Sequence, residues 1–244
     1  MRRTPLVVAC TSHILPGKRA EWYRPFVIVR LGGLARRRGG VCFDEGVESI
    51  ARRLLTKGFG RPSGLPGRLG GRLMAHGNAA TERHAVAVAA PAEHDVVIVL
   101  GPGPGVGLEA AARRSAHVVG IDPSELMLAA ARRRCAAPIA RGRLRLVLGT
   151  AARTGEPDAS ADVVISVNNL HLWPDVPGAL AELHRVLRPG GRLVLSAHEK
   201  WLPAGLPALA GLVVAARFGS VRTWTWEPPS RMASTAAQLS AVRT

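Results

Sequence analysis

The chain has 244 residues, of which 47% are hydrophobic and 20% are charged, and its formal net charge is +16. This apolar share is enough for a buried core, which excludes a wholly disordered chain. The length fits one large α/β domain, or one domain with an added arm. Because no stretch approaches the roughly 20 apolar residues of a membrane span, we expect a soluble, cytoplasmic protein without a membrane partner.

The positive charge is concentrated near the start of the chain. Residues 1–85 carry 16 basic and 5 acidic side chains, against 17 and 12 in the remainder. Residues 1–58 also lack a clear pattern of strands or helices, so we expect a poorly defined basic N-terminal arm there, followed by the main domain over residues 59–244. The arm could bind an anionic partner such as nucleic acid, but a solvated arginine-rich surface is the favoured interpretation.

The cysteines give no sign of a structural site. Cys10, Cys42 and Cys135 are scattered along the chain and show no Cys-x-x-Cys spacing. This argues against a disulfide framework and a zinc site, so we expect no metal and a reducing compartment. The oligomeric state is left open.

The predicted elements begin with a helical lead-in over residues 61–90, which contains a short amphipathic stretch at 65–75 and a second helix at 79–90. Strands and helices then alternate. Apolar runs predict strands over residues 95–100, 117–121, 144–148, 163–167 and 192–197. Helical patterns fall over residues 108–114, 124–136, 177–187 and 206–217, with Ser124 as the expected cap of the second of these.

This alternation predicts the arrangement of the sheet. Repeated β-α units imply a parallel sheet with helices on both faces. The last two predicted strands, residues 221–226 and 236–242, have no helix between them. We therefore expect them to form an antiparallel hairpin at one edge.

A glycine stands at every second position after the first predicted strand, at Gly101, Gly103, Gly105 and Gly107. A strand that runs into glycines and then into a helix brings backbone amides and a helix N-terminus towards a ligand. The missing Cβ atoms allow that ligand to approach closely. The dinucleotide fingerprint Gly-x-Gly-x-x-Gly is not satisfied from the first or second glycine, and no Gly-Lys-Ser or Gly-Lys-Thr follows.

An aspartate, Asp122, ends the second predicted strand. A carboxylate in that position can accept hydrogen bonds from both hydroxyls of a ribose. By itself Asp122 could be a helix cap instead. Its distance from the glycine loop favours the ribose-binding role.

These motifs carry a resemblance to a known family. Val96 to Ala197 resembles a class I S-adenosylmethionine-dependent methyltransferase domain, of the broad bacterial type called methyltransferase type 11. The resemblance rests on the sequences at residues 99–105, 120–124, 162–168 and 187–193. It implies a Rossmann-like, doubly wound α/β fold with a seven-stranded, mainly parallel sheet and a C-terminal antiparallel hairpin, and it implies S-adenosylmethionine as the cofactor.

The resemblance also implies a set of cofactor-binding residues. Gly101, Gly103 and Gly105 would lie against the methionine and ribose parts of the cofactor. Asp122 would hold the ribose hydroxyls. Asn168, at the end of the fourth predicted strand, would contact the cofactor as well.

The sequence departs from the family pattern in two places. Thr150 and Ala151 follow the third strand, where the family contacts the adenine, often through an acidic side chain that this chain lacks. Adenine recognition would then rest on backbone amides and the Thr150 hydroxyl. Leu100 stands where many members carry Glu or Asp just before the glycines.

The acceptor side is expected at the segment that leaves the fourth strand, because open α/β sheets bind ligands at the carboxyl ends of their strands. His171 could act there as a base or an orienting group, and Trp173 could face the acceptor. A structural role is at least as well supported for both residues. His76 and His84, in the lead-in, are weaker candidates, and the catalytic residue is left unassigned.

Three functions are compatible with the sequence. The favoured one is methyl transfer to a small-molecule acceptor. The second is RNA modification with the basic N-terminal region as a clamp, although the Asn/Asp-Pro-Pro-aromatic motif of exocyclic amino methylation is absent from residues 168–171. The third is a catalytically silent cofactor-binding protein, which the departure at Leu100 would permit.

Overall fold

A computed structural model describes residues 78–202, 204–229 and 234–244. The predicted basic arm (1–58), the amphipathic stretch (65–75) and His76 lie outside these residues. None of the helices in the described ranges is both long and apolar enough to cross a membrane.

The described chain alternates between strands and helices, as the sequence predicts. The strands are β1 (Val96–Leu100), β2 (His117–Asp122), β3 (Leu144–Leu148), β4 (Ala161–Val167), β5 (Leu187–His198), β6 (Phe218–Trp226) and β7 (Ala236–Arg243). The helices are α1 (78–89), α2 (Val106–Ala112), α3 (Glu125–Arg134), α4 (Ala136–Ala140), α5 (Val176–Val186) and α6 (Gly205–Ala215). Short 3-10 turns cover Leu170–Leu172 and Glu199–Trp201.

The strands form one seven-stranded sheet in the order β3-β2-β1-β4-β5-β7-β6. Strands β1 to β5 pair in parallel, whereas β7 pairs antiparallel with both β5 and β6. The expected mainly parallel sheet with a C-terminal antiparallel pair is therefore confirmed. The strand order reverses between β1 and β4, and in open α/β sheets ligands bind at such a switch point, beyond the carboxyl ends of the strands.

Two apolar layers cover the two faces of the sheet. On one face, α5 and α6 contribute Leu180 and Val213 to a cluster with Ile98 of β1. On the other, α1 and α2 contribute Val86 and Leu108 to a cluster with strand residues. The central strands are buried on both faces, which explains why they appear in the sequence as continuous apolar runs.

Several predicted boundaries differ from the structure by a few residues, and two of these differences have a clear local cause. The helix expected over 124–136 ends at Arg134, because Cys135 leaves helical geometry (φ −100°, ψ 25°) and a separate short helix follows. Strand β5 begins at Leu187, directly after α5, because the loop with Gly190 (φ +78°) is a bulge that rejoins the β4 register at Arg192. The predicted cap is confirmed: the Ser124 hydroxyl accepts a hydrogen bond from the Met127 amide.

Candidate cofactor and acceptor site

The glycine loop joins β1 to α2 through backbone conformations that favour glycine. Gly101, Gly103 and Gly105 have φ values of +55°, +51° and +92°, in the left-handed region that side chains disfavour. The Gly101 amide donates a 2.8 Å hydrogen bond to the Ile121 carbonyl, which fixes the loop to the end of β2. Among the described residues, no atom lies within 4 Å of the position that a Cβ on Gly103 would take, so the loop has an open face there.

Asp122, the last residue of β2, is hydrogen-bonded to the glycine loop. Its carboxylate is buried and accepts hydrogen bonds from the Gly103 amide at 3.3 Å and the Ser124 amide at 2.9 Å. Burial raises the pKa of Asp122 to about 6. Each carboxylate oxygen can accept a further hydrogen bond, so the group retains the capacity to hold a pair of hydroxyls.

The N-terminus of α2 is capped by a carboxylate from another helix. The N-cap residue of α2, Gly105, has no side chain, and the Glu82 carboxylate of α1 accepts a 2.6 Å hydrogen bond from the Gly107 amide. Loss of solvation raises the pKa of Glu82 to about 7. Sequence reasoning missed this contact, although Glu82 is the only acidic residue between positions 78 and 89.

Asn169, also missed from the sequence, connects β4 to the glycine loop. Its side-chain amide donates to the Leu100 carbonyl at 2.7 Å, and its oxygen accepts from the Ser166 hydroxyl at 2.6 Å and the Trp173 indole at 3.1 Å. A Cβ on Gly101 would overlap the Asn169 side chain. The first glycine is therefore required by this close contact as well as by its backbone conformation.

Asn168 differs from Asn169 in the hydrogen bonding of its side chain. It is 6% exposed, has a φ of +55°, and neither atom of its side-chain amide has a hydrogen-bond partner among the described residues. A buried amide without a partner costs about 1–3 kcal/mol, so an unpaired group at a ligand-binding edge points to a ligand. The contact of Asn168 with the cofactor stays a prediction.

The turn after β3 limits what Thr150 and Ala151 can do. The Thr150 amide donates to the Arg153 carbonyl at 3.0 Å, and its carbonyl accepts from the Arg153 amide at 3.1 Å. The backbone of Thr150 is therefore committed to the turn, and its exposed side-chain hydroxyl is the group left for a ligand. Ala151 is buried in the apolar cluster beneath α5.

His171 and Trp173 have different positions after β4. Trp173 is 9% exposed and packs in the core, with its indole bonded to Asn169, so its observed role is the structural one. His171 lies on the 3-10 turn with a buried Nδ1 that lacks a partner among the described residues. Burial, and secondarily the neighbouring His198, lowers the pKa of His171.

Two further side chains, Trp201 and His198, lie beside His171. The Trp201 ring stacks on His171 at a centroid distance of 5.0 Å, and it remains 41% exposed. His198, at the end of β5, has its Nδ1 2.6 Å from the Ser234 hydroxyl, and burial lowers its pKa. Neither residue is singled out by a sequence motif, because the contact with His171 joins segments about 30 positions apart.

The remaining lead-in candidate, His84, stacks on Trp226 with a centroid distance of 4.0 Å and an interplanar angle of 3°. Nearby, the Trp224 indole donates to the fully buried Gln238 side chain at 2.8 Å. Both tryptophans therefore pack α1 and β7 against β6. Within the described ranges, no group of three or more His, Cys, Asp or Glu side chains could hold a metal ion.

The fold and this loop-and-acid arrangement define a class of protein. A sheet of this order, with a glycine loop after the first strand and a buried acid ending the second, is the class I S-adenosylmethionine-dependent methyltransferase fold. The protein that binds the Trm112 methyltransferase activator of Haloferax volcanii shares this fold, with a TM-score of 0.60 and 19% identity over 72% of this chain and 93% of that one. An S-adenosylmethionine-dependent methyltransferase of Mesorhizobium loti superposes with a TM-score of 0.56 and 19% identity, over 66% of this chain and 96% of that one.

Sequence comparison identifies the family within this class. Residues 98–195 match the family model described as a methyltransferase domain, and the chain carries a class I S-adenosylmethionine-dependent methyltransferase domain of that family. A demethylmenaquinone methyltransferase of Symbiobacterium thermophilum is 35% identical over 105 residues, which are 43% of this chain and 42% of that protein. The chain thus spans less than half the length of the first curated relatives that it matches.

Proposed function

We propose that this protein transfers a methyl group from S-adenosylmethionine to a small-molecule acceptor, with the cofactor over the glycine loop and the acceptor beside His171. The observation that carries the proposal is the buried amide of Asn168 at the end of β4, which has no partner among the described residues. It adjoins Asn169, whose side chain contacts the loop that begins at Gly101. A polar ligand at this edge would satisfy the amide.

The residues of the loop fit the cofactor. Asp122 has acceptor capacity for the ribose hydroxyls, Gly103 leaves open space for close approach, and the Asn168 amide can both donate and accept. The Thr150 hydroxyl is the polar group available near the adenine. When bound, S-adenosylmethionine supplies a methyl group activated by a positively charged sulfur.

The acceptor would be oriented and deprotonated by the chain's own side chains. Because its pKa is lowered, His171 is a neutral imidazole at physiological pH. Its Nδ1 has no partner among the described residues but is buried, so it can accept a proton only from a hydroxyl or an acidic C–H group that reaches this enclosed position. The Trp201 ring stacks on His171 and so gives the base an aromatic neighbour on the acceptor side. The remaining rate enhancement would come from proximity and orientation.

The acceptor class is inferred from the chemistry of His171 and Trp201 and from the similar proteins. An aromatic face beside a neutral base suits a flat acceptor with an acidic proton, such as a phenol or a reduced quinone. The similarity to a demethylmenaquinone methyltransferase is consistent with that chemistry, although it covers less than half of that protein.

Two measurements test the proposal in sequence. Calorimetry should detect binding of S-adenosylmethionine that Asp122→Ala abolishes and that Asp158→Ala, which removes an exposed surface acid, leaves unchanged. The full chain is then incubated with labelled cofactor and a panel of phenols, quinols and carboxylic acids, and the product mass is determined. Binding that ignores Asp122, or methyl transfer only to RNA, would overturn it.

A further inference from the structure

The Glu82 carboxylate has an oxygen that no described residue uses. Its Oε2 accepts a 2.6 Å hydrogen bond from the Gly107 amide, at the start of α2. Its Oε1 makes no hydrogen bond or ion pair within the described ranges, although the side chain is only partly exposed to solvent. A carboxylate that is withdrawn from water is normally paired with a cation. The free oxygen of Glu82 therefore indicates a cationic partner from outside the described chain.

The two nearby arginines do not take this place. Arg83, on α1, and Arg134, at the end of α3, lower the pKa of Glu82 through space, but neither forms an ion pair with it. The Arg134 side chain instead donates to the Pro104 carbonyl at 3.1 Å and lies 3.6 Å from the Glu109 carboxylate. Burial outweighs both charges and raises the pKa of Glu82 to about 7. The protonated and ionised forms are then close in free energy at neutral pH, so a bound cation decides between them.

Glu82 and Asp122 lie on opposite sides of the glycine loop. Asp122 ends β2, whereas Glu82 belongs to α1, which packs towards β6 through the stack of His84 on Trp226. In the strand order β3-β2-β1-β4-β5-β7-β6, β2 and β6 lie on opposite sides of β1, from which the loop emerges. A ligand whose ribose is held at Asp122, and which extends across the loop towards β4, therefore directs its other end towards Glu82 and the unpaired amide of Asn168.

We infer that Glu82 binds the ammonium group in the methionine part of S-adenosylmethionine. The inference rests on the proposed function, which places the cofactor over the glycine loop. Strand β1 is wholly apolar (Val96–Leu100), so the carboxylate for this ammonium comes from α1 instead. The ammonium donates a charge-assisted hydrogen bond to Oε1, while Oε2 keeps its hydrogen bond to the Gly107 amide. Glu82 gives its proton to the solvent when the ammonium binds, because the ionised form is then paired.

The test is calorimetry of the full chain with S-adenosylhomocysteine and with its deaminated analogue, in which hydrogen replaces the ammonium group. The wild type should bind S-adenosylhomocysteine at least about tenfold more tightly than the analogue. Glu82→Gln keeps an oxygen that can accept from the Gly107 amide but loses the charge, so it should bind the two ligands about equally. Its wild-type affinity for the analogue would show that the variant is folded. The matched control is Glu109→Gln, which removes a carboxylate of α2 that pairs with Arg113 at 2.8 Å and should keep the wild-type preference.

Proton release gives a second readout that a purely structural cap would not change. At pH 7 the wild type should release about half a proton on binding S-adenosylhomocysteine, because about half of the Glu82 carboxyls are protonated beforehand. The deaminated analogue, and either ligand with Glu82→Gln, should release clearly less, whereas Asp122 contributes equally throughout because both ligands carry the ribose.

The inference is overturned if Glu82→Gln retains the wild-type preference for the ligand with the ammonium, or if it weakens the binding of both ligands equally. Either result would leave the proposed methyl transfer intact. A wild type that binds neither ligand would overturn the proposed function, and the inference with it.

Discussion

The side-chain amide of Asn169 donates a 2.7 Å hydrogen bond to the backbone carbonyl of Leu100, and so joins the end of β4 to the start of the glycine loop. At Leu100 many members of the family carry an acidic side chain. Here the loop is fixed by hydrogen bonds to residues elsewhere in the chain. Asn169 donates to the Leu100 carbonyl, and the Glu82 carboxylate accepts from the Gly107 amide in the helix that follows the loop. The loss of the acid at position 100 therefore does not leave the loop without polar support.

The two adjacent asparagines should respond to substitution in opposite ways. Asn169→Ala leaves the Leu100 carbonyl and the Trp173 indole without their partner, so the free energy of unfolding should fall by about 1–3 kcal/mol. Asn168→Gly removes an amide that has no partner among the described residues and relieves its positive φ, so stability should be unchanged or slightly higher. Both variants should bind S-adenosylmethionine at least about tenfold more weakly. Urea unfolding and calorimetry separate the two effects, and a destabilised Asn168→Gly would contradict this division.

Substitution by alanine should have different effects at Gly101 and at Gly103. Gly103→Ala places a Cβ in open space at positive φ, so it should cost about 1–2 kcal/mol of stability and obstruct the cofactor. Gly101→Ala adds an overlap with Asn169 and should be more destabilising. In a double-mutant cycle, Asn169→Gly should recover part of that loss. Additive effects would show that the overlap between the new Cβ and Asn169 is relieved by movement elsewhere in the loop.

Cofactor affinity should depend on the ionisation of Asp122. The pKa of its carboxyl is raised to about 6 by burial, and only the ionised form can accept from both ribose hydroxyls. The affinity for S-adenosylmethionine should therefore be constant above about pH 7 and fall as the pH drops through 6. Asp122→Asn should bind weakly at every pH. Calorimetry between pH 5 and pH 8 tests this, and an unchanged wild-type affinity at pH 5 would exclude the role.

The Glu82 cap should make stability fall as the pH rises. The folded-state pKa of Glu82, about 7, lies above the ordinary value of 4.5, so the folded protein binds this proton more tightly than the unfolded chain does. Its contribution is fully present below pH 4.5 and is lost as the pH rises through 7. Glu82→Gln should flatten this part of the stability curve, whereas Glu93→Gln, in an exposed loop, should not. Thermal unfolding between pH 4.5 and pH 8 provides the measurement.

His171 should affect turnover more than binding. If it accepts the acceptor proton, His171→Gln should lower kcat by about 100-fold or more with little change in cofactor affinity. The wild-type kcat should decline only below pH 6.5, because the pKa of His171 is lowered from that value. Trp173→Phe, which loses the indole hydrogen bond to Asn169 and part of a buried ring, should retain the wild-type pH profile. A His171→Gln enzyme with full kcat would remove His171 from the reaction.

The sequence by itself determined the fold and the glycine loop. Apolar runs such as 96–100 must be buried on both faces, and the glycines that follow them have few alternatives to a tight turn, because other residues resist positive φ. The position of Asp122 was predictable as well, because it ends an apolar run beside the glycine loop, and its carboxylate accepts a hydrogen bond from the Gly103 amide. Its contact with the cofactor stays a prediction. These signals lie within short stretches of sequence, so they can be interpreted without knowledge of the tertiary packing.

Only the tertiary structure decided which polar side chains meet. Asn169 and Leu100 are 69 positions apart, and Glu82 and Gly107 are 25 positions apart. The spacing of these residues along the chain therefore does not predict either contact. The same holds for Trp173, which the core buries, and for Trp201, which reaches His171 because β4 and β5 are neighbours in the sheet. Hydrogen bonding and burial depend on distances in space. These are set by the order of the strands and by the packing of the helices upon them, and not by any single segment.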